Sequence, residues 1–112
     1  MSTFMFLFRG GHEPTSPEEM QAQMQKWMGW IEQLRKQGKY IAGEPLQGSG
    51  KVVSSRRKII TDGPFAEGKE LVGGYFLVQA ETLDEAVQMS KDCPIFETDG
   101  SVEIRPIQII NP

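Results

Sequence analysis

The sequence predicts an α+β fold in which helices cover one face of an antiparallel sheet. Three observations support this. Runs of apolar residues typical of strands occur near both ends of the chain and around residue 76. Two helix-start signals lie between these runs. The chain is 112 residues long with 38% hydrophobic and 24% charged residues, which predicts a single globular domain over residues 1–112.

Composition also limits the kinds of partner that the protein is expected to bind. The net charge of −3 provides no basic field for a phosphate backbone, so we expect no direct contact with nucleic acid. The N-terminal apolar run, Phe4 to Phe8, is too short for a signal peptide or a membrane span. A single cysteine, Cys93, allows no disulfide within the chain and is typical of a reducing compartment. We therefore expect a cytoplasmic protein that does not contact membranes.

The first predicted strand runs from Thr3 to Arg9. Side chains alternate across a strand, so its three phenylalanines share one face while Met5 and Leu7 share the other. Both faces are apolar and need cover. Helices would cover one face, and a second sheet or another subunit would cover the other. A face-to-face homodimer is the economical arrangement and is therefore predicted.

The first helix begins with three signals. Ser16 is a good N-cap, Pro17 suits the first helical position, and Glu19 completes a capping box. Gly38 is the expected terminator. An apolar stripe predicts core packing, with an adaptable methionine-rich binding face as the alternative. It comprises Met20, Met24, Trp27, Met28, Ile31 and Leu34.

The middle of the chain predicts short strands. Residues 40–46 are expected to be extended, and residues 51–61 to form a hairpin near a sheet edge. Its basic tip, Arg56, Arg57 and Lys58, would keep the edge from pairing with other chains, or would bind an anion.

The second half of the sequence predicts a strand, a helix and a last strand. Residues 72–80 form the clearest strand, in which Gly73 and Gly74 indicate a bulge or a close approach of another backbone. Residues 82–91 form a helix with a second capping box, and residues 101–110 form a last strand interrupted at Pro106. The inner face of this helix is predicted to be Leu83, Ala86, Val87 and Ser90. The order of elements is that of a split βαβ, ferredoxin-like sandwich.

A turn-rich stretch, residues 61–70, joins the hairpin to the clearest strand. Asp62 before Gly63 and Pro64 is predicted to satisfy backbone donors of its own turn, or else to serve a ligand or a reaction. Phe65 is expected to anchor this loop to the core. The mixed charges that follow are expected to be solvated: Glu67, Lys69 and Glu70.

Several motifs together resemble the DGPF group of YCII-related proteins. They are Asp62-Gly63-Pro64-Phe65-Ala66-Glu67, Lys69-Glu70, Gly73-Gly74-Tyr75, Leu83-Asp84-Glu85-Ala86, Cys93-Pro94 and residues 100–106, with support from residues 16–19 and Gly43-Glu44. The resemblance covers nearly the whole chain and implies a dimeric α+β barrel. It implies no particular reaction, and it admits a link to sigma-factor-dependent transcription through protein contacts.

One departure from the wider family limits what the resemblance implies. YCII-like proteins, including a dehydrochlorinase of chlorinated hydroxyhydroquinone, use a His on the first helix and an Asp before Pro near the second. Here the first helix reads Gln25-Lys26-Trp27-Met28, and the second site reads Asp92-Cys93-Pro94. The resemblance therefore does not carry that catalytic pair to this chain.

The remaining candidates for chemistry are few. His12, in a Gly-rich loop, is the side chain whose ordinary pKa lies nearest neutrality, and with Asp62 it is a candidate catalytic residue. The alternative for His12 is an exposed loop residue. Candidate ligand-binding residues are Arg9, Glu44 and Arg105, although Arg105 beside Glu103 is also expected to form an ion pair.

Two functions fit these observations. The first is binding or transformation of a small polar or anionic metabolite by acid–base chemistry. One His and one Cys are too few for a typical zinc site, and no nucleotide-binding motif occurs, so we expect neither metal nor cofactor. Cys93 is expected to be inert. The second is a non-catalytic dimeric regulatory module. A polar pocket with converging charges would favour the first, and an exposed apolar patch would favour the second.

Overall fold

The computed structural model describes residues 1–63 and 70–110. These form six strands, two α-helices and one 3-10 helix. The strands are β1 (Ser2–Arg9), β2 (Tyr40–Pro45), β3 (Lys51–Ser54), β4 (Ile59–Asp62), β5 (Val72–Ala80) and β6 (Ser101–Pro106). The helices are α1 (Pro17–Lys36), α2 (Leu83–Ser90) and the 3-10 helix Pro94–Thr98. Neither α-helix is long and apolar enough to cross a membrane.

Four strands form one antiparallel sheet in the order β2-β5-β1-β6. With β3 and β4 set aside, this is the strand order of a ferredoxin-like sandwich, which confirms the predicted α+β class. The register shifts between Phe8 and Arg9, which face Gly74 and Val72. Gly73 is thus the extra residue of a bulge, as the sequence predicted.

The helix starts are close to those predicted. Ser16 Oγ accepts from Glu19 N at 3.1 Å, and Thr82 Oγ1 accepts from Glu85 N at 3.1 Å. The two glutamates, however, do not return to the cap residue. Each carboxylate accepts from the backbone N–H one residue earlier, at Thr15 and at Glu81. The backbone N–H groups at both helix starts are therefore satisfied by a variant of the capping box.

The apolar stripe of α1 differs from its prediction. Trp30 and Leu34 are its buried residues, while Met20, Met24 and Met28 are exposed. A step of four residues advances about 40° beyond a full turn, so three methionines at that spacing drift away from the stripe that holds Trp30. Core packing is correct for Leu34 and in part for Trp27 and Ile31, which are partly buried against the core, and it is wrong for the three methionines. The buried Trp30 is not part of the predicted stripe.

The core is built largely from aromatic rings between the sheet and α1. Phe6 stacks on Trp30 with centroids 6.3 Å apart, and Trp30 stacks on Phe76 at 5.3 Å. Phe8 meets Phe76 edge-on at 4.9 Å. Offset and edge-to-face contacts of this kind are the favoured geometries of aromatic pairs. The even-numbered residues of β1 therefore face α1.

Two details of the second half are corrected. On α2, Ala86 and Ser90 are buried, but Leu83, predicted to face inward, is exposed because it is the first helical residue. The last strand ends at Pro106, which lies on the edge strand β6 and cannot donate to a ladder. Residues 107–110 lie outside any strand.

β3 and β4 form a separate two-stranded hairpin. Residues 55–58, which include the basic triplet, lie at its tip, as predicted. Every residue of both strands is exposed. The radius of gyration is 15.8 Å, against about 13 Å for a compact chain of this length. The molecule is a thin slab, 48 × 46 × 18 Å.

Candidate functional site

A cavity of about 640 Å³ lies where α1, the β1–α1 loop, the 3-10 helix and the β2–β5 edge of the sheet meet. This volume is in the range of sites for small organic molecules. Its walls are mostly apolar, and aromatic rings contribute from four different elements. They are Phe8, Trp27, Tyr40 and Phe76.

These rings hold one another in place. Trp27 meets Phe8 edge-on, with centroids 5.0 Å apart, and Tyr40 meets Phe76 edge-on at 5.2 Å. Phe8 and Phe76 are buried and form the floor, whereas Trp27 and Tyr40 are only partly buried. The cavity is therefore floored by core residues and bounded by two amphipathic rings. Exposed Met24 and Met28 extend its wall along α1.

The β1–α1 loop brings His12 to this cavity. Gly10 and Gly11 both have positive φ, 72° and 84°, a conformation that glycine adopts without steric cost. The chain thereby turns against the 3-10 helix, and His12 N donates to Thr98 O at 3.0 Å. A Cβ on Gly11 would lie 2.9 Å from Thr98 Oγ1. The backbone at His12 is thus set by a tight fit between loop and helix.

Carboxylates surround the cavity. Glu13, Glu19, Glu44 and Glu97 all line it. Thr15 Oγ1 donates to Glu19 at 2.7 Å, and this bond, more than the nearby charge of His12, holds the pKa of the Glu19 carboxyl below its ordinary value. Glu19 is therefore anionic over a wider pH range than an isolated glutamate.

Tyr40 contributes a hydroxyl as well as a ring. Burial raises the pKa of its phenol, and the positive charge of Arg35 opposes that shift only in part. The phenol therefore stays protonated near neutrality and can donate a hydrogen bond. Arg35 lies over the Tyr40 ring, with its guanidinium carbon 5.4 Å from the centroid.

The structure separates the five predicted site residues. His12 lines the cavity. Glu44 lines it too, but it pairs with Tyr75 in the β2–β5 register, so its side chain belongs to the open face of the sheet. Arg9 and Arg105 lie on the same open face, because their positions on β1 and β6 alternate with residues that pack on the core. The described lining of the cavity therefore includes His12 and Glu44 but neither arginine.

Arg9 and Arg105 share a carboxylate on that open face. Arg9 is ion-paired with Glu103, and Arg105 Nε lies 3.9 Å from the same carboxyl group. This agrees with the ion pair expected for Arg105.

Asp62 lies elsewhere. It is the last residue of β4, faces Lys51 across the hairpin and is ion-paired with it. The rest of its predicted turn begins at Pro64, outside the described residues, so its bonds to that turn stay a prediction. The predicted anchor Phe65, with Pro64, Glu67 and Lys69, lies outside the described residues.

Cys93 is not part of the site chemistry. The residue is buried, and this burial raises the pKa of its thiol to about 12. A thiol with such a pKa is a poor nucleophile at neutral pH, so the prediction that Cys93 is inert agrees with the structure. Within residues 1–63 and 70–110, no group of three His, Cys, Asp or Glu side chains is arranged to hold a metal ion.

Sequence reasoning missed the walls of the cavity. Trp27 was assigned to the core stripe, while Phe8, Tyr40 and Phe76 were treated only as strand residues. One signal was present. Phe8 ends the apolar run of β1 directly before the Gly10-Gly11 turn, a position where a strand delivers a side chain to a loop-lined opening.

The model of the YCII-related domain matches residues 4–111. The chain belongs to the YCII-related family. An uncharacterised protein of Rhizobium meliloti (strain 1021) is 38% identical over 60 residues, which cover 53% of this chain and 48% of that protein. The match thus spans about half of the length of that relative.

A solved structure shares the YCII-domain chain's fold. It is a 5-chloro-2-hydroxyhydroquinone dehydrochlorinase from Burkholderia phenoliruptrix AC1100, in complex with 2,5-dihydroxybenzoquinone. The TM-score is 0.54 at 16% identity, and the alignment covers 95% of this chain and 93% of the other. At that identity the likeness supports the α+β fold and nothing about the reaction.

Proposed function

We propose that this YCII-domain chain binds a small organic molecule in the cavity and that His12 performs acid–base chemistry on it. The observation that carries this proposal is the aromatic-walled cavity with His12 and several carboxylates at its rim. An apolar pocket with a few convergent polar groups is the usual form of a small-molecule site.

The family resemblance points to the same place. Lys26, Trp27 and Pro94 line the cavity, and they lie in the two segments where the resemblance locates the His–Asp pair of other YCII-like proteins. The dehydrochlorinase with this fold was solved with a ring compound. We propose that the chain retains the family's binding region and supplies its histidine from the β1–α1 loop.

We propose His12 as the general base. A neutral imidazole can accept a proton, and a carboxylate that holds its other nitrogen would orient it. Glu13, which lines the same cavity, is the proposed orienting group. Tyr40 would donate a hydrogen bond to an oxygen of the bound molecule.

A thermal-shift screen of small metabolites tests the proposal, with wild type, His12→Gln and Tyr40→Phe compared. We expect a ligand to stabilise the native state, by ~2.7 kcal/mol at a hundredfold excess over Kd. His12→Gln should retain binding of a hit but abolish its turnover, and Tyr40→Phe should weaken binding. If no compound stabilises the wild type, the proposal is wrong.

We also propose a dimer in which two sheets pack face to face as an α+β barrel. On the open face of the sheet, Met5 pairs with Leu77 and Leu7 pairs with Tyr75. These side chains are half-buried within one chain, so a partner sheet could remove the rest of their apolar surface from water. The slab thickness of 18 Å supports an uncovered face.

The hairpin favours a second candidate function, a non-catalytic interaction module. Val53 and Ile60 are 61% and 67% exposed, and they oppose each other in the β3–β4 register. Such an apolar surface outside the sheet suits a protein partner. The resemblance would connect this partner to sigma-factor-dependent transcription. A pull-down that depends on Ile60, with no small-molecule hit, would favour this candidate.

A further inference from the structure

We infer that the cavity takes an organic cation, a protonated amine attached to a flat apolar body. This inference rests on the proposed small-molecule function and names the class of ligand. It replaces the anionic ligand that the sequence suggested.

The charged residues that line the cavity are mostly acidic. Three carboxylates at the helix side of the cavity come from different segments: Glu13 from the loop, Glu19 from α1 and Glu97 from the 3-10 helix. Glu44 also lines the cavity, but its pairing with Tyr75 assigns its side chain to the open face of the sheet. Among the described lining residues, Lys26 is the one lysine or arginine. A ligand with a negative charge would meet like charges on the helix side, whereas a cation would be attracted.

Most of the charged groups around the cavity already have partners. Lys26 Nζ donates to Glu97 at 3.1 Å, so the lysine charge is already neutralised. Glu19 is held by Thr15. Glu13 has no ion-pair partner within the described residues. An ammonium group in the cavity would therefore have the Glu13 carboxylate available to it.

The aromatic walls of the cavity also favour a cation. The face of an aromatic ring is negative and attracts cations, and tryptophan is the strongest ring in this respect. Tyr40 already holds the guanidinium of Arg35 over its ring. Trp27 is a second, partly exposed ring for a cation or for the flat body of the ligand.

The spread of the carboxylates decides between a metal ion and an organic cation. A divalent metal needs several oxygen ligands at about 2.0–2.6 Å from one point, and no group of three candidate ligands converges in this way among the described residues. Carboxylates distributed around an apolar space suit a larger ion whose charge is carried at one end of a hydrophobic body.

Calorimetric titration of the full chain with three probes of one skeleton tests this inference. The probes are phenethylammonium, phenethyl alcohol and hydrocinnamate, which share a phenyl ring and differ in charge. We expect the ammonium to bind about tenfold tighter than the alcohol, and hydrocinnamate to bind more weakly than either. Raising the salt to about 1 M, where the Debye length is about 3 Å, should shrink these ratios.

Matched variants locate the charge effect. Glu13→Gln should lower the affinity for the ammonium several-fold and leave the affinity for the alcohol unchanged. Glu44→Gln changes a side chain on the open face of the sheet and should leave both affinities unchanged. Glu32→Gln makes the same change on α1, where Glu32 lies near Arg35 and outside the cavity lining. This control should leave both affinities unchanged.

Three outcomes would overturn the inference. Equal binding of all three probes would refute charge selection while leaving the small-molecule function in place. Tightest binding of hydrocinnamate would do the same and restore an anionic ligand. If no probe binds and the metabolite screen also finds nothing, both this inference and the proposed function fail.

Discussion

The four-stranded sheet and the β3–β4 hairpin are made of similar residues but are covered very differently. Along β1 and β5, buried and half-buried side chains alternate, because α1 and α2 lie over one face. Along β3 and β4, every side chain is exposed, although the strands contain adjacent Val52-Val53 and Ile59-Ile60 pairs. Strand propensity alone therefore does not tell which strands belong to the core.

The difference has a consequence for register. In β1, a slip of one residue would exchange the buried phenylalanines for Met5 and Leu7, so burial specifies the pairing. In the hairpin, both faces are alike, and the pairing depends on the tip and on contacts such as Lys51 with Asp62. An isolated hairpin is marginal in water, so this region is expected to be the less stable of the two.

Truncation of one large side chain in each region should show the largest contrast. Phe6 is fully buried and stacks on Trp30, so Phe6→Ala should lower the free energy of unfolding by ~3–5 kcal/mol through lost burial and a cavity. Ile60→Ala, in the hairpin, should change it by less than ~0.5 kcal/mol. Chemical denaturation followed by circular dichroism measures both values.

A large loss for Ile60→Ala would contradict this contrast. If that loss also grew as the protein was diluted, a second subunit would be covering the hairpin. Equal slopes of unfolding against denaturant in all three proteins would show that the comparison concerns stability and not a change in the unfolded state.

The proposed dimer gives the next largest effect. Leu7→Glu would place an unpaired charge in the interface between open sheet faces, and we expect the dimer Kd to rise by about a hundredfold or more. Analytical ultracentrifugation over a range of concentrations measures this. Ile60→Glu is the matched hairpin variant and should leave the dimer intact. Monomerisation by Ile60→Glu alone would move the interface to the hairpin.

Local signals carried most of the fold. Ser16 and Thr82 cap the two helices because each has a side chain suited to the orphan N–H groups of the first turn. The alternation in residues 72–80 gave the central strand with its Gly73 bulge. The sequence was a weaker guide to which residues of α1 face the core. Methionine and tryptophan are both apolar, so only the tertiary arrangement shows that Trp30 is buried and Met24 is not.

The candidate site was less predictable, because it is assembled from segments far apart in sequence. His12 and Glu44 both line the cavity, but the pairing of Glu44 with Tyr75 assigns its side chain to the open face. Arg9 also lies on the open face, where it pairs with Glu103. Arg9 follows Phe8 in the predicted strand and so falls on the opposite face, and this parity was the signal that could have excluded it.

The smallest predicted effect concerns Asp62, whose side chain is 74% exposed and whose ion pair with Lys51 lies on the hairpin. Exposed pairs of this kind contribute about 0–1 kcal/mol. Asp62→Ala and Lys51→Ala should therefore each change the free energy of unfolding by less than ~1 kcal/mol, and the double variant should show a coupling of similar size that declines with salt. Asp62→Ala should also leave ligand binding in the cavity unchanged. A loss of ligand binding in a stable Asp62→Ala variant would instead show that the hairpin takes part in the site, and the two regions could no longer be treated as separate.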